Sequence, residues 1–278
     1  MITILLALAL QDDPAQPAKI VEKCWAAVRP SLEKLGVKDL DAAQKAYVKS
    51  AASLEKSLAE LPQEKRALIF NLPDTIAALE EQKLRPPSIS GLLPRVEPAA
   101  LKEGEGAALL AKCVGTWKNE WKAARTTTTW KAAADGTVEE EVVRTDKTTT
   151  NAIKIDFRHE LRVGVTRGTT RQDHIFLPVD GGFYLSSNLL YGVHKVTDRK
   201  HFTLQSEWEW LVCEDGRATL IADSGARAKS DAVWTKEGES EVLSLKWRFA
   251  GRKFDGTRKY VLVGEYLVHS GAQLYKKQ

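Results

Sequence analysis

The sequence predicts an α+β protein, an N-terminal α-helical region followed by an antiparallel β-barrel. Three observations carry this. Before Leu84, apolar residues recur at steps of three and four, as on one face of a helix. From Cys113 onward they alternate every second residue, as on one face of a strand. Asp-Gly pairs such as Asp135-Gly136 and Asp215-Gly216 separate the alternating runs, and a type I′ hairpin turn needs residues that tolerate positive φ.

The chain of 278 residues opens with an almost unbroken apolar run from Met1 to Leu10, ended by Gln11-Asp12-Asp13-Pro14. Ten residues are too few to span a bilayer as a helix. They fit the apolar part of a secretory signal peptide over residues 1–11, with Ala7 and Ala9 near its end, although no basic side chain precedes them. The expected location is therefore secreted or periplasmic, in the cell envelope. No later segment is long and apolar enough to act as a transmembrane anchor. The 41 basic and 37 acidic residues leave a net charge of +4 spread along the chain. Nucleic-acid binding needs a clustered basic face, so no nucleic-acid partner is expected.

The helical region covers residues 17–84. Val21, Trp25, Val28, Leu32 and Leu35 form the first stripe, which Pro30 should kink or restart and Gly36 should stop. Asp39 or Asp41 can cap a second helix with Leu40, Tyr47, Ala51, Leu54, Leu58 and Leu61 on one face. Leu68, Ile69 and Leu72 mark a third, and Asp74 caps a fourth containing Ile76 and Leu79. Stripes this narrow bury little alone and must pack on each other, on the second half or on a partner. Residues 85–112 form a Pro/Gly-rich connector and a short helix leading into Gly115-Thr116-Trp117.

Residues 113–278 read as the barrel. In 153–165 every odd position is apolar except His159, giving one dry face and one wet face along an unusually long strand. Phe202, Leu204, Trp208, Trp210 and Val212 repeat the pattern, with Glu207 and Glu209 outward. Leu243, Leu245, Trp247 and Phe249 form another run, and Tyr260, Leu262, Tyr266 and Val268 the last. Nine or ten short-linked strands of this kind make a sandwich or a closed barrel.

Val114-Gly115-Thr116-Trp117, followed by meandering strands, resembles the opening of the lipocalin-like (calycin) barrels, and the later Thr-Trp-Lys and Asp-Gly-Thr resemble uncharacterised bacterial members. The resemblance covers the last three-fifths of the chain, and the helical region has no counterpart in that family. It implies that Trp117 closes one barrel end and that an Arg packs on it, with Arg248 and Arg258 as candidates. The nitrobindin-type barrels open similarly and hold haem on a His near the C-terminus, a role for which only His269 is placed.

No catalytic motif is present: no Gly-x-Ser-x-Gly elbow, His-Glu-x-x-His or P-loop. The five His show no metal-ligand spacing, and no metal or cofactor is expected. Cys24, Cys113 and Cys213 leave open one disulfide in an exported protein or three buried thiols. Aromatic walls with few polar groups suit a small-molecule cavity, but side chains also fill small barrels solid. The expected ligand-binding residues are Trp117 at the base and His159, Trp208, Trp210 and Trp247 lining the interior. The leading expectation is an exported protein whose barrel binds a small apolar ligand. The alternative is a structural or interaction protein of the envelope, with a solid barrel and helices that dock an unknown partner. A lesser alternative is a haem-binding barrel of the nitrobindin type.

Overall fold

The computed structural model describes residues 15–93, 100–121, 124–133, 137–144, 147–159, 161–186, 194–205, 209–249 and 255–278. The apolar opening run, the Asp135-Gly136 turn and Trp208 lie outside them. Helices α1 (Pro17–Lys34), α2 (Leu40–Ser50), α3 (Ala52–Ala59), α4 (Gln63–Asn71) and α5 (Thr75–Glu81) come first, and α6 (Glu105–Cys113) leads into the strands. Asp39 and Asp74 cap α2 and α5, accepting from the backbone N–H of Ala42 at 2.9 Å and of Ala77 at 3.1 Å. Pro30 does not break α1. The buried Val28, Ser31 and Leu32 on either side hold the turn in place despite the lost N–H. The stripe from Leu40 to Leu61 belongs to two helices, because Ala51 (φ −78°, ψ −4°) turns the chain between them.

The strands form two sheets rather than one barrel. Strands β1 (Gly115–Trp121), β2 (Ala124–Ala132), β3 (Val138–Arg144), β4 (Lys147–His159), β5 (Arg162–Arg167), β6 (Thr170–Val179) and β7 (Gly182–Ser186) run up and down. The last strand, β16 (Gln273–Lys277), returns between β7 and β1 and closes an eight-stranded antiparallel barrel. The long run 153–165 is thus a hairpin of β4 and β5. Its alternation survives the turn because odd residues pair with odd ones, Ile155 with Val165 and Phe157 with Val163.

Between β7 and β16 the chain builds a second sheet. It comprises β8 (His194–Lys195), β9 (His201–Gln205), β10 (Glu209–Glu214), β11 (Arg217–Ala222), β12 (Arg227–Glu237), β13 (Ser240–Phe249), β14 (Asp255–Val263) and β15 (Tyr266–His269). The order across the sheet is β8-β15-β14-β13-β12-β11-β10-β9. Its two edges, β8 and β9, are neighbours in the chain. The backbone from Lys195 to His201 reaches at most about 21 Å, whereas eight strands laid flat would be about 34 Å wide. The sheet must therefore curl into a half-barrel.

Three hydrophobic cores result. The helices share one with Trp210, Val212 and Ile221 from the outer face of the half-barrel. The half-barrel encloses a second around Leu220, Leu243, Leu245 and Trp247. The closed barrel and α6 enclose the third around Phe176 and Phe183. The helical layer is fastened to the half-barrel by the Lys34–Glu214 ion pair at 2.8 Å and by Ile89 N–H donating to Asp223 O at 2.8 Å. At Gly225 (φ +83°) a Cβ would lie 2.5 Å from Val28 Cγ2, so only glycine lets α1 approach this closely. The helical stripes are thus occupied within the chain.

Candidate functional site

The lumen of the closed barrel is apolar at one end and polar at the other. At the base, Cys113 of α6 is buried, and its carbonyl accepts from Trp117 Nε1 at 2.8 Å. Above this, Phe183 is the hub of an aromatic cluster. Its ring lies 4.9 Å from Trp117 edge-on and 4.9 Å from Tyr275, stacked at 12°. Trp130 at 5.7 Å and Phe176 at 5.1 Å complete its shell. Such rings fill the base of a small barrel as side chains should.

Towards the other end the register places Trp130, Glu140 and Asn151 side by side on β2, β3 and β4, all inward. Glu140 is almost wholly buried, yet its carboxylate is fully engaged. Oε1 accepts from Trp130 Nε1 at 3.1 Å and from Arg167 Nη2 at 2.7 Å. Oε2 accepts from Arg167 Nε at 2.9 Å and from Asn151 Nδ2 at 3.4 Å. Burial pushes the Glu140 carboxyl up, but the bonds and charge of Arg167, with those of Trp130 and Asn151, outweigh it and hold the group below its ordinary value. Arg167 is held protonated by the same pair.

A second polar group stands beside it. Asn119 is paired in register with Tyr275 across β1 and β16. Gln273 Oε1 accepts from Asn119 Nδ2 at 3.1 Å and from the Tyr275 hydroxyl at 2.8 Å. Asn119 Oδ1 is buried and has no hydrogen-bond partner. Burial raises the Tyr275 hydroxyl to about 12, so it stays a donor. His174, also buried, sits on β6 opposite Val163.

The polar end opens to solvent. Thr149 and Gln172 are exposed although they share the lumen register with Val142 and Val165. Arg167 keeps 38% of its side chain accessible, and its Nη1 makes no hydrogen bond among the described residues. The half-barrel is inserted at this same end, where β7 finishes and β16 begins, and residues 270–272 tether it there.

Of the expected site residues, Trp117 is in the closed-barrel core, Trp210 in the helical core and Trp247 in the half-barrel core, so no common interior joins them. Trp210 faces the helices because β9 and β10 pair even residues with odd ones, Leu204 with Leu211 and Phe202 with Cys213. The dry face of β9 therefore continues through Leu211 and Cys213, and Trp210 lies on the other side. His159 does not face the lumen either. A bulge after Phe157 pairs it with the outward Arg162, where it also bridges Ala100, and its Nδ1 is buried without a partner.

Arg258 stacks over Trp247 at 4.9 Å rather than on Trp117, and the side chain of Arg248 lies outside the described residues. Glu209 does not point outward but into the half-barrel, where it takes two bonds from Arg258 at 2.6 and 3.2 Å. His269 Nδ1 accepts from Gly271 N–H at 3.1 Å, and its ring lies edge-on to Tyr260 of the half-barrel. The three cysteines are buried and free, one in each core.

Sequence reasoning missed Glu140 and Arg167. Glu140 lies within Val138-Glu-Glu-Glu-Val142, a run that reads as a wet edge, and its only signal is the shared parity with the two valines. Arg167 borders the Gly168 turn and reads as surface.

These features define an α+β protein whose N-terminal helices precede a closed antiparallel barrel, with a half-barrel inserted before the closing strand. No protein-family model, no curated protein and no solved structure matches the chain. Among the described residues, no cluster of His, Cys, Asp or Glu is arranged to hold a metal ion, and no helix is long and apolar enough to cross a membrane.

Proposed function

We propose that the closed barrel is a lipocalin-like chamber that binds one small molecule, with an apolar body against the aromatic cluster and a polar group at the Glu140–Arg167 end. The observation that carries this reading is the buried Glu140–Arg167 ion pair inside the lumen, where a solid barrel would hold hydrocarbon. Buried ion pairs seldom stabilise a fold more than well-packed apolar residues do. The pair is therefore better explained by a ligand than by stability. The up-and-down strand order and the Gly115-Thr116-Trp117 opening at the barrel base are consistent with lipocalin-like kinship. The apolar run at residues 2–10 supports export to the periplasm or beyond as part of the same reading.

Native mass spectrometry of the freshly purified full chain tests the chamber. A retained small molecule, or uptake of the fluorescent probe N-phenyl-1-naphthylamine with quenching of tryptophan emission, is the expected result. A chain that carries no added mass and takes up no probe would reject the chamber in favour of a solid barrel.

A further inference from the structure

We propose that residues 196–200, which join β8 to β9, form a strap across one end of the half-barrel, held closed by a protonated His201 and loosened when that proton leaves. This is independent of the chamber in the closed barrel. The connections 215–216, 238–239 and 264–265 lie at the same end as the strap, because successive strands of the sheet run antiparallel. The strap joins the two edges of the curled sheet beside these turns.

Its fastenings reach several elements of the sheet. Val196 is buried in the half-barrel core, and its N–H donates to Glu265 O. Arg199 Nε donates to Glu241 Oε2 at 3.0 Å, and the guanidinium lies 5.8 Å over the Trp234 ring. Trp234 also meets Phe202 edge-on, and its Nε1 is buried with no hydrogen-bond partner among the described residues. The strap therefore lies over an aromatic part of the core.

His201 is the fastening that responds to pH. Its Nδ1 is 3.1 Å from Asp198 Oδ2, and its Nε2 is 3.0 Å from Asp215 Oδ1. Carboxylates only accept, so both bonds exist together only when both ring nitrogens carry protons and the ring is a cation. A neutral ring donates from one nitrogen and turns a lone pair towards the other carboxylate. Asp198 keeps its bond, since it lies within the strap and is fixed by Lys200 N–H at 2.8 Å. Asp215 lets go, since 86% of its side chain is open to water. That loss frees the strap from the β10–β11 hairpin, whose turn holds Asp215 at φ +49°.

The surroundings favour the cation. Asp198 and Asp215 bracket the ring, against the adjacent charge of Lys200, while Arg199 is committed to Glu241. Glu214 faces His201 in register but is paired with Lys34 of α1, and Arg217 is the register partner of Glu214 on its other side. The bond to Asp198, with the charges of both carboxylates, outweighs desolvation and holds the ring protonated above its ordinary 6.5. A group raised in this way stabilises the closed strap fully below 6.5, and the contribution is lost as pH rises through the raised value.

Trypsin reads the strap directly, because Arg199 and Lys200 lie within it. On the full chain, initial cleavage at these two residues is measured against a small ester substrate at each pH. It should rise by about two- to fivefold from about pH 6 to about pH 8.5, as suits an exposed ion pair. Its midpoint should lie above 6.5 and match the His201 ring titration followed by NMR. Asp215→Gly keeps the positive φ of the turn and removes the carboxylate, so its strap should be cut at the faster rate at both pH values. Cleavage that is absent or independent of pH in the unaltered chain, or a pH response that persists in Asp215→Gly, would overturn the inference. Should that variant not fold, the unaltered chain still decides. A His201 that titrates at or below 6.5, or a cleavage midpoint apart from its titration, would overturn the inference equally.

Discussion

Arg167 holds Glu140 by two near-parallel bonds inside the closed barrel, Nη2 to Oε1 at 2.7 Å and Nε to Oε2 at 2.9 Å. The carboxylate side chain is 5% exposed and the guanidinium 38%, so the pair spans the boundary between lumen and solvent. Removing one partner strands a charge, whereas removing both can be nearly neutral. Arg167→Met should therefore destabilise the chain by about 2–4 kcal/mol, less than for a fully buried pair because solvent reaches the guanidinium. Glu140→Leu combined with Arg167→Met should recover most of that loss. Urea unfolding of each variant, followed by tryptophan fluorescence, checks both. If the double variant is as unstable as the single one, the pair is held for the fold and not for a ligand.

The same pair governs part of the acid response. Although burial opposes it, the Arg167 bonds and charge hold the folded Glu140 below the ordinary value of 4.5. A carboxyl depressed in the folded state stabilises the fold at pH above that ordinary value. The contribution fades as pH falls from 4.5 through the lowered folded value, because the unfolded chain then binds the proton first. Glu140→Gln should be less stable than the unaltered chain at pH 7, and the two denaturation curves should converge as the pH falls below 4.5. Curves that stay parallel below pH 4.5 would assign the acid limb to other carboxylates.

Cys24, Cys113 and Cys213 report separately on the helical, closed-barrel and half-barrel cores. Burial raises the first two thiols to about 12 and also raises the third, so none is a ready thiolate at neutral pH. Alkylation by iodoacetamide, mapped by mass spectrometry, should leave all three unmodified in the native protein over an hour. In rising urea each should become labelled as its own core opens. A chain two mass units light, with one thiol left to label after denaturation, would mean that a bridge forms.

Much of the local structure was legible in the residues. Asp39 and Asp74 cap the helices their positions suggest, and Gly115-Thr116-Trp117 opens the first strand directly after a short helix. The candidate site was less so. Glu139, Glu140 and Glu141 are chemically identical in sequence, yet only the middle one is folded against Arg167. His159 has the parity of its apolar neighbours, but one extra residue in a bulge moves it to the outer face. A run of alternating residues carries no mark of where a turn is buried in it, so two hairpins read as two long strands.

The sequence alone determined the periodicities: steps of three and four up to the connector, steps of two beyond it, and hence helices followed by antiparallel strands. Side-chain direction within one element is a local property of the backbone, fixed by 3.6 residues per turn or by the pleat. Tertiary structure decided how the strands were shared between a closed barrel and an inserted half-barrel, and on which side each aromatic residue fell. Register across a turn sets whether the next strand keeps or inverts the parity of the last. That register kept Val163 and Val165 inside with Phe157, and sent Trp210 away from Leu204 to the helices, because each strand had to satisfy its backbone bonds against a partner remote from its own sequence.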